Sequence, residues 1–174
     1  MEELQAAGRQ IYSELKNVCV WVKDNGGMGS FYRSQHELIF VFKYGNANHQ
    51  NNVELGKNGR YRTNVWHYAG VNSLKAGRMD ELRLHPTVKP VAMVADALLD
   101  SSRSKDVVLD GFAGSGTIFL AAERTGRRAR AMEIEPRYVD VAVRRWENWT
   151  GESARHFTTV ETFDAIAKHR QQLN

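Results

Sequence analysis

The spacing of apolar residues changes several times along the chain, and each change marks a new element. Leu4, Ala7, Ile11 and Leu15 recur at intervals of a helical turn, which predicts an opening helix within residues 2–16. "NVCVWVKD" (17–24) and "QHELIFVFKYG" (35–45) are rich in β-branched and aromatic residues and read as strands. The glycine-rich "NGGMGS" between them predicts a hairpin with a long tip. Residues 45–84 then lose any sustained period. Within them only "NVWHYAGV" offers aromatic residues able to anchor the segment by burial.

The periodicity returns after residue 84. "HPTVKP" (85–90) places a proline where a first helical position is expected. "VAMVADALLDSS" follows, with Val91, Val94, Ala95, Leu98 and Leu99 predicted on one helical face. Then come strand "DVVLD", the glycine-rich "DGFAGSGT", helix "TIFLAAERTG", strand "RARAMEIE" and helix "PRYVDVAVRRWENW". Helix, strand, helix, strand, helix is the order of a parallel α/β half. Residues 152–174 read as a polar extension with one amphipathic helix.

Composition narrows the class. With 42% hydrophobic and 25% charged residues the chain can build an ordinary water-soluble core. Cys19 is its one cysteine, so no internal disulfide forms, which suits a reducing cytoplasm. No apolar run reaches the roughly 18 residues of a membrane span. The net charge of +4 is concentrated: between Gly45 and Met79 stand Lys57, Arg60, Arg62, Lys75 and Arg78 against Glu54 alone. That polar segment reads either as a solvated loop or as a phosphate-facing surface.

"DGFAGSGT" (110–117) decides which chemistry to look for. A phosphate-binding P-loop needs a lysine where this chain has Thr117, so that reading fails. A dinucleotide fingerprint started at Gly114 and Gly116 finds Phe119 where its third glycine belongs. A third reading needs an acid at the strand end and glycines beyond it, so that backbone can approach an adenosyl or methionine group. Asp110 supplies that acid, and Glu133, at the end of the next strand, stands where a carboxylate accepts bonds from ribose hydroxyls. A plain strand-to-helix turn with a solvated Glu133 is the alternative that these residues leave open.

"DGFAGSGT", "AMEIEPRYVDVAVRRW" and "HPTVKP" together resemble the cofactor motifs of S-adenosylmethionine-dependent DNA amino-methyltransferases, which modify adenine N6 or cytosine N4. "NVCVWVKDNGGMGSFYRSQHELIFVFKYG" is similar to the segment that follows the catalytic strand in that family. The motif order is the permuted one: catalytic half, target-recognition segment, cofactor half. The resemblance implies a Rossmann-like methyltransferase domain over residues 1–151. Within it, 45–84 would recognise the target and 85–151 would bind the cofactor. It further implies that Asp110, Phe112, Gly114 and Gly116 frame the methionine end of S-adenosylmethionine. Ser115 and Thr117 would add hydrogen bonds at the helix start, Glu133 would hold the ribose, and Thr87 and Lys89 would close the pocket. His85 would order the turn. Lys57, Arg60, Arg62, Lys75 and Arg78 become expected phosphate contacts to double-stranded DNA, since phosphates take most such contacts.

The chain departs from the family twice. Gly111 stands where the family usually has proline, which makes the turn more mobile. The catalytic motif, an Asp, Asn or Ser followed by Pro-Pro and an aromatic residue, is absent: the prolines are Pro86, Pro90 and Pro136, none adjacent. That motif holds the amine of the flipped base in line with the sulfonium methyl. No catalytic or metal-binding residue is therefore assigned. The fold is expected to be incomplete, missing its central catalytic strands, with two open strand edges. Self-association or pairing with an upstream catalytic half is the expected consequence.

Overall fold

A computed structural model describes residues 1–70 and 88–172. Helix α1 (Glu2–Ile11) leads into strand β1 (Glu14–Val22), which turns back as β2 (His36–Lys43). The opening helix is thus shorter than the spacing predicts. Leu15 fits a helical period, but it pairs with Phe42 across an antiparallel ladder that begins at Glu14↔Lys43. Gly8 is the one buried residue of α1, and it rests against the ring of Phe42.

A third strand, β3 (Val65–His67), lies parallel to β1 in the register Trp21↔Trp66, giving the order β2-β1-β3. Its three residues are too few to show a period, so sequence reading finds only the aromatic anchor. That anchor holds. Trp21 (2% exposed), Cys19, Trp66 and Met93 form a core cluster, with Ile39, Tyr68 and Ala97 packed against it. Each indole N–H is satisfied, Trp21 Nε1 by Tyr68 O at 2.8 Å and Trp66 Nε1 by Thr63 O at 3.0 Å. Buried indoles require such partners.

Met93 and Ala97 belong to helix α2 (Val91–Ser101), which begins after Pro90. Of the two prolines in "HPTVKP", Pro90 stands at the N-cap of α2, one position before its first residue. Four residues apart, Met93 and Ala97 share a face toward the first sheet. The helix also packs on α3 (Thr117–Thr125), the crossover between β4 (Val107–Asp110) and β5 (Arg128–Ala131). Strands β4 and β5 pair in parallel, Val107↔Arg128 through Asp110↔Ala131, as the alternating pattern predicts. Helix α4 (Pro136–Thr150) returns over α3, and α5 (Phe163–Gln172) closes the chain's described part. Among the described residues no strand joins the two sheets, so β2 and β3 edge the first and β4 and β5 the second.

Gly116 sets the α3–α4 distance. Its φ of +76° suits glycine, and a Cβ there would lie 2.6 Å from Ala142 Cβ. Gly111, by contrast, meets nothing within 4 Å and has no left-handed φ.

A polar network pins the segment after β2 onto α2. Arg60 donates to Asp100 Oδ1 (Nη2, 2.7 Å) and to Asp96 Oδ1 (3.2 Å). Arg62 Nε donates to Asp100 Oδ2 at 3.0 Å, and its Nη1 donates to the Tyr68 hydroxyl at 2.8 Å. Tyr68 in turn donates to Asp96 Oδ2 at 2.6 Å. Asn52 Nδ2 donates to Leu99 O and Ser102 O, occupying carbonyls that the end of α2 leaves open. Burial alone would push the Asp96 carboxyl up. The Tyr68 hydroxyl and the two guanidiniums outweigh it and hold that carboxyl below its ordinary value.

Two outcomes follow from this packing. A depressed carboxylate stabilises the fold above its unfolded value of about 4 and loses that contribution as pH falls through the lower folded value. The urea midpoint should therefore hold from neutrality down to about pH 4 and then drop, and Asp96→Asn should flatten the drop. Gly116→Ala should lower stability by about 2 kcal/mol or more, from strain at positive φ plus overpacking against Ala142, while Gly111→Ala should stay within about 1 kcal/mol of the parent. Urea unfolding of the two glycine variants side by side checks the contrast.

Candidate functional site

Strand β4 ends on Asp110, and the chain leaves the end of β5 toward Glu133. Between them the loop 111–116 crosses to α3. Two backbone bonds knit the crossing, Met132 N to Asp110 O at 2.9 Å and Ala113 N to Met132 O at 3.0 Å. The result is a cavity of about 320 Å³ above the carboxyl ends of the two parallel strands. Its walls include Lys89, Asp110, Phe112, Gly114, Ser115, Thr117 and Glu133, all expected there from the sequence. Gly116 stands behind the wall, against Ala142, and Thr87 lies outside the described residues.

The two acids are held by main chain. Glu133 Oε2 accepts from Gly114 N at 2.7 Å and Oε1 from Glu135 N at 3.0 Å, so the carboxylate is already oriented. Asp110 Oδ1 accepts from Phe112 N at 2.9 Å. The Phe112 ring is 93% exposed and stands at the rim.

Other expected ligand groups turn toward the protein. Ser115 is 3% exposed and Thr117 7%. Arg145 Nη1 donates to Ser115 O at 2.7 Å and to Ser115 Oγ at 2.8 Å. Thr117 Oγ1 donates to Lys89 O at 3.2 Å, tying the opposite wall to the loop. The Lys89 ammonium reaches Glu37 Oε2 at 3.0 Å, while Lys23 holds Glu37 Oε1 at 2.7 Å. Both ammoniums lie over the Trp21 ring. Burial would push the Glu37 carboxyl up, but Lys23 and Lys89 hold it below its ordinary value.

A wider groove of about 770 Å³ lies between the β1–β2 face, the end of α2 and residues 44–53. It contains neither the glycine loop nor Asp110 or Glu133, so size does not make it the chemical site. Its amides are largely engaged in folding the segment: Asn51 Oδ1 accepts from Val53 N and Glu54 N, and Asn64 Nδ2 donates to Val18 O.

The basic segment divides. Lys57 reaches solvent, with its side chain 78% exposed beside Glu54. Arg60 and Arg62 are only 27% and 20% exposed and both bond the Asp96–Asp100 pair already described, while among the described residues the buried Arg62 Nη2 has no hydrogen-bond partner. Arg62 also stacks on the rings of Trp66 and Tyr68. Their two charges are matched by two carboxylates, and they sit as internal pairs where an open phosphate surface was expected. The carboxylates lie 34 to 40 residues away in sequence, so the segment's local charge sum could not include them. Lys75 and Arg78 lie outside the described residues. Sequence reading missed Arg145, Ala142 and Glu37. The signal available for the first two was their spacing of three on a helix with one buried face.

Known proteins resemble the chain in sequence and in fold. DNA adenine methyltransferase YhdJ of Escherichia coli (strain K12) is 38% identical over 98 residues, 56% of this chain and 32% of that protein. Type II methyltransferase M.ScaI of Streptomyces caespitosus is 34% identical over 105 residues, 60% of this chain and 34% of that protein. This chain thus spans about a third of the length of these relatives. Among solved structures, the M1.HpyAVI–SAM complex matches with a TM-score of 0.58 and 27% identity, over 75% of this chain and 61% of that one. That likeness carries the Rossmann-like methyltransferase fold expected from the motif order. The family model for DNA methylase spans residues 2–144, most of the chain, and the chain belongs to that family.

Proposed function

We propose that this chain is the cofactor- and DNA-binding portion of a DNA amino-methyltransferase, with S-adenosylmethionine as its cofactor. The observation that carries the reading is the pair Asp110 and Glu133 at the carboxyl ends of adjacent parallel strands, flanking a glycine loop. Open α/β sheets bind nucleoside ligands at that location. The residues present fit the ligand. Glu133, oriented by Gly114 N and Glu135 N, is placed for ribose hydroxyls, and Asp110 for the cofactor's ammonium. Lys89 lines the wall where the methionine carboxylate would lie. The volume is at the low end of the roughly 300–1,000 Å³ typical of such pockets. When bound, S-adenosylmethionine supplies an electrophilic methyl group. The protein's part is to hold it, exclude water and orient it toward the acceptor amine.

The group that would hold a flipped base is not found among these residues. The proposal is that a catalytic half supplies it and docks on the open edges of β2 and β4. A second copy seated there would instead give self-association. Alone, the chain transfers no methyl group. DNA contact falls to Lys57, with Lys75 and Arg78 assigned by charge alone, since Arg60 and Arg62 have carboxylate partners.

Calorimetry should show S-adenosylmethionine binding, weakened by at least ~1.5 kcal/mol in each of Asp110→Ala and Glu133→Ala, the worth of a charged hydrogen bond. Unchanged affinity in both would remove the pocket from this role. Duplex DNA should bind with a steep salt dependence. Neutralising Lys57, Lys75 and Arg78 should lower the log–log slope by roughly 0.9 for each phosphate that then keeps its counterion. A slope that does not move would place the DNA surface elsewhere.

A further inference from the structure

The wall of the cavity is shaped from behind. Three consecutive residues, Ser115, Gly116 and Thr117, are met from behind the wall by two residues one turn apart on α4. Ala142 abuts Gly116, so closely that a Cβ on the glycine would lie 2.6 Å away. Arg145 Nη1 donates to Ser115 O at 2.7 Å, to Ser115 Oγ at 2.8 Å and, at 3.5 Å, to Thr117 Oγ1.

The need for this donor comes from the helix start. Phe119 N bonds to Gly116 O at 3.0 Å, a tight three-residue turn, which leaves Ser115 O without the amide that a regular α-helix would give it. Gly116, the N-cap of α3, has no side chain to cap the turn. Buried carbonyls and hydroxyls need partners, and a charged donor is worth about twice a neutral one. Arg145 meets both Ser115 oxygens. Through Thr117, whose hydroxyl donates to Lys89 O, it is also linked to the opposite wall.

We infer that Arg145 is a positioning residue for the cofactor site: it fixes the loop whose Gly114 amide orients Glu133 and so sets the cavity's shape. The inference rests on the cofactor reading above. Arg145 touches no ligand in it, and acts through Ser115 and Thr117.

The neighbouring Arg144 provides the control. It points away, to Glu147 at 3.1 Å and to Asp164 on α5. Calorimetric titration of the purified chain with S-adenosylmethionine, alongside Arg145→Ala, Arg145→Lys and Arg144→Ala, tests the assignment. Arg145→Ala should weaken binding about tenfold or more, Arg145→Lys by less, and Arg144→Ala not measurably. Hydrogen exchange should show faster opening of amides 112–117 in Arg145→Ala, with α2 and β1 unchanged. Thermal unfolding confirms that each variant folds. If Arg145→Ala does not fold, Ser115→Ala and Arg145→Lys carry the same comparison. Wild-type binding with equal affinity in the Arg145 variants would overturn the inference. No binding by the wild-type chain would instead remove the cofactor reading on which it rests.

Discussion

Helix α2 has to satisfy three different surfaces at once, and the architecture depends on that constraint. Met93 and Ala97 fill the space beneath Trp21 and Trp66, and the helix packs on α3 as well. Asp96 and Asp100 receive the two arginines. An apolar helix that is almost nowhere fully exposed would be a poor surface element. Here it joins the β1–β2–β3 layer to the β4–β5 layer, which share no strand pairing among the described residues. The carbonyls at its end are taken by Asn52, so even its terminus carries the segment after β2.

The cavity inherits its geometry from the same packing. Val88 and Lys89, just before α2, make one wall; the glycine loop before α3 makes the other. Their separation is set where α2 meets α3 and where Thr117 bonds Lys89 O. Glu37 on β2 takes the Lys89 ammonium, so the hairpin also bears on the wall. Ligand-facing groups are few. Most of the polar atoms nearby orient other polar atoms.

How much of this could be read from the sequence depended on range. The unit β4–loop–α3–β5 was legible because its signals are local: alternation, then glycines, then a helical period. The acids at its strand ends were legible for the same reason. The end of α1 was not, because Leu15 satisfies both periods and only pairing with Phe42 chooses between them. Strand β3 was invisible at three residues. The carboxylate partners of Arg60 and Arg62 were not legible, because Asp96 and Asp100 lie far along the chain. The inward turn of Ser115 and Thr117 was hidden in the same way, since Arg145 is 30 residues from Ser115.

The β4–β5 sheet has helices against it on the side of α3. Residues alternating to the other side remain open: Val107 is 55% exposed and Leu109 74%, beside Arg128 and Arg130 of β5, and just past that strand Met132 is 63% and Ile134 96% exposed. Parallel strands usually have both faces covered. A chaperone or a quality-control protease recognises such a surface by the same apolar chemistry that marks an unfolded chain. Those four side chains keep apolar carbon in contact with water in the folded state.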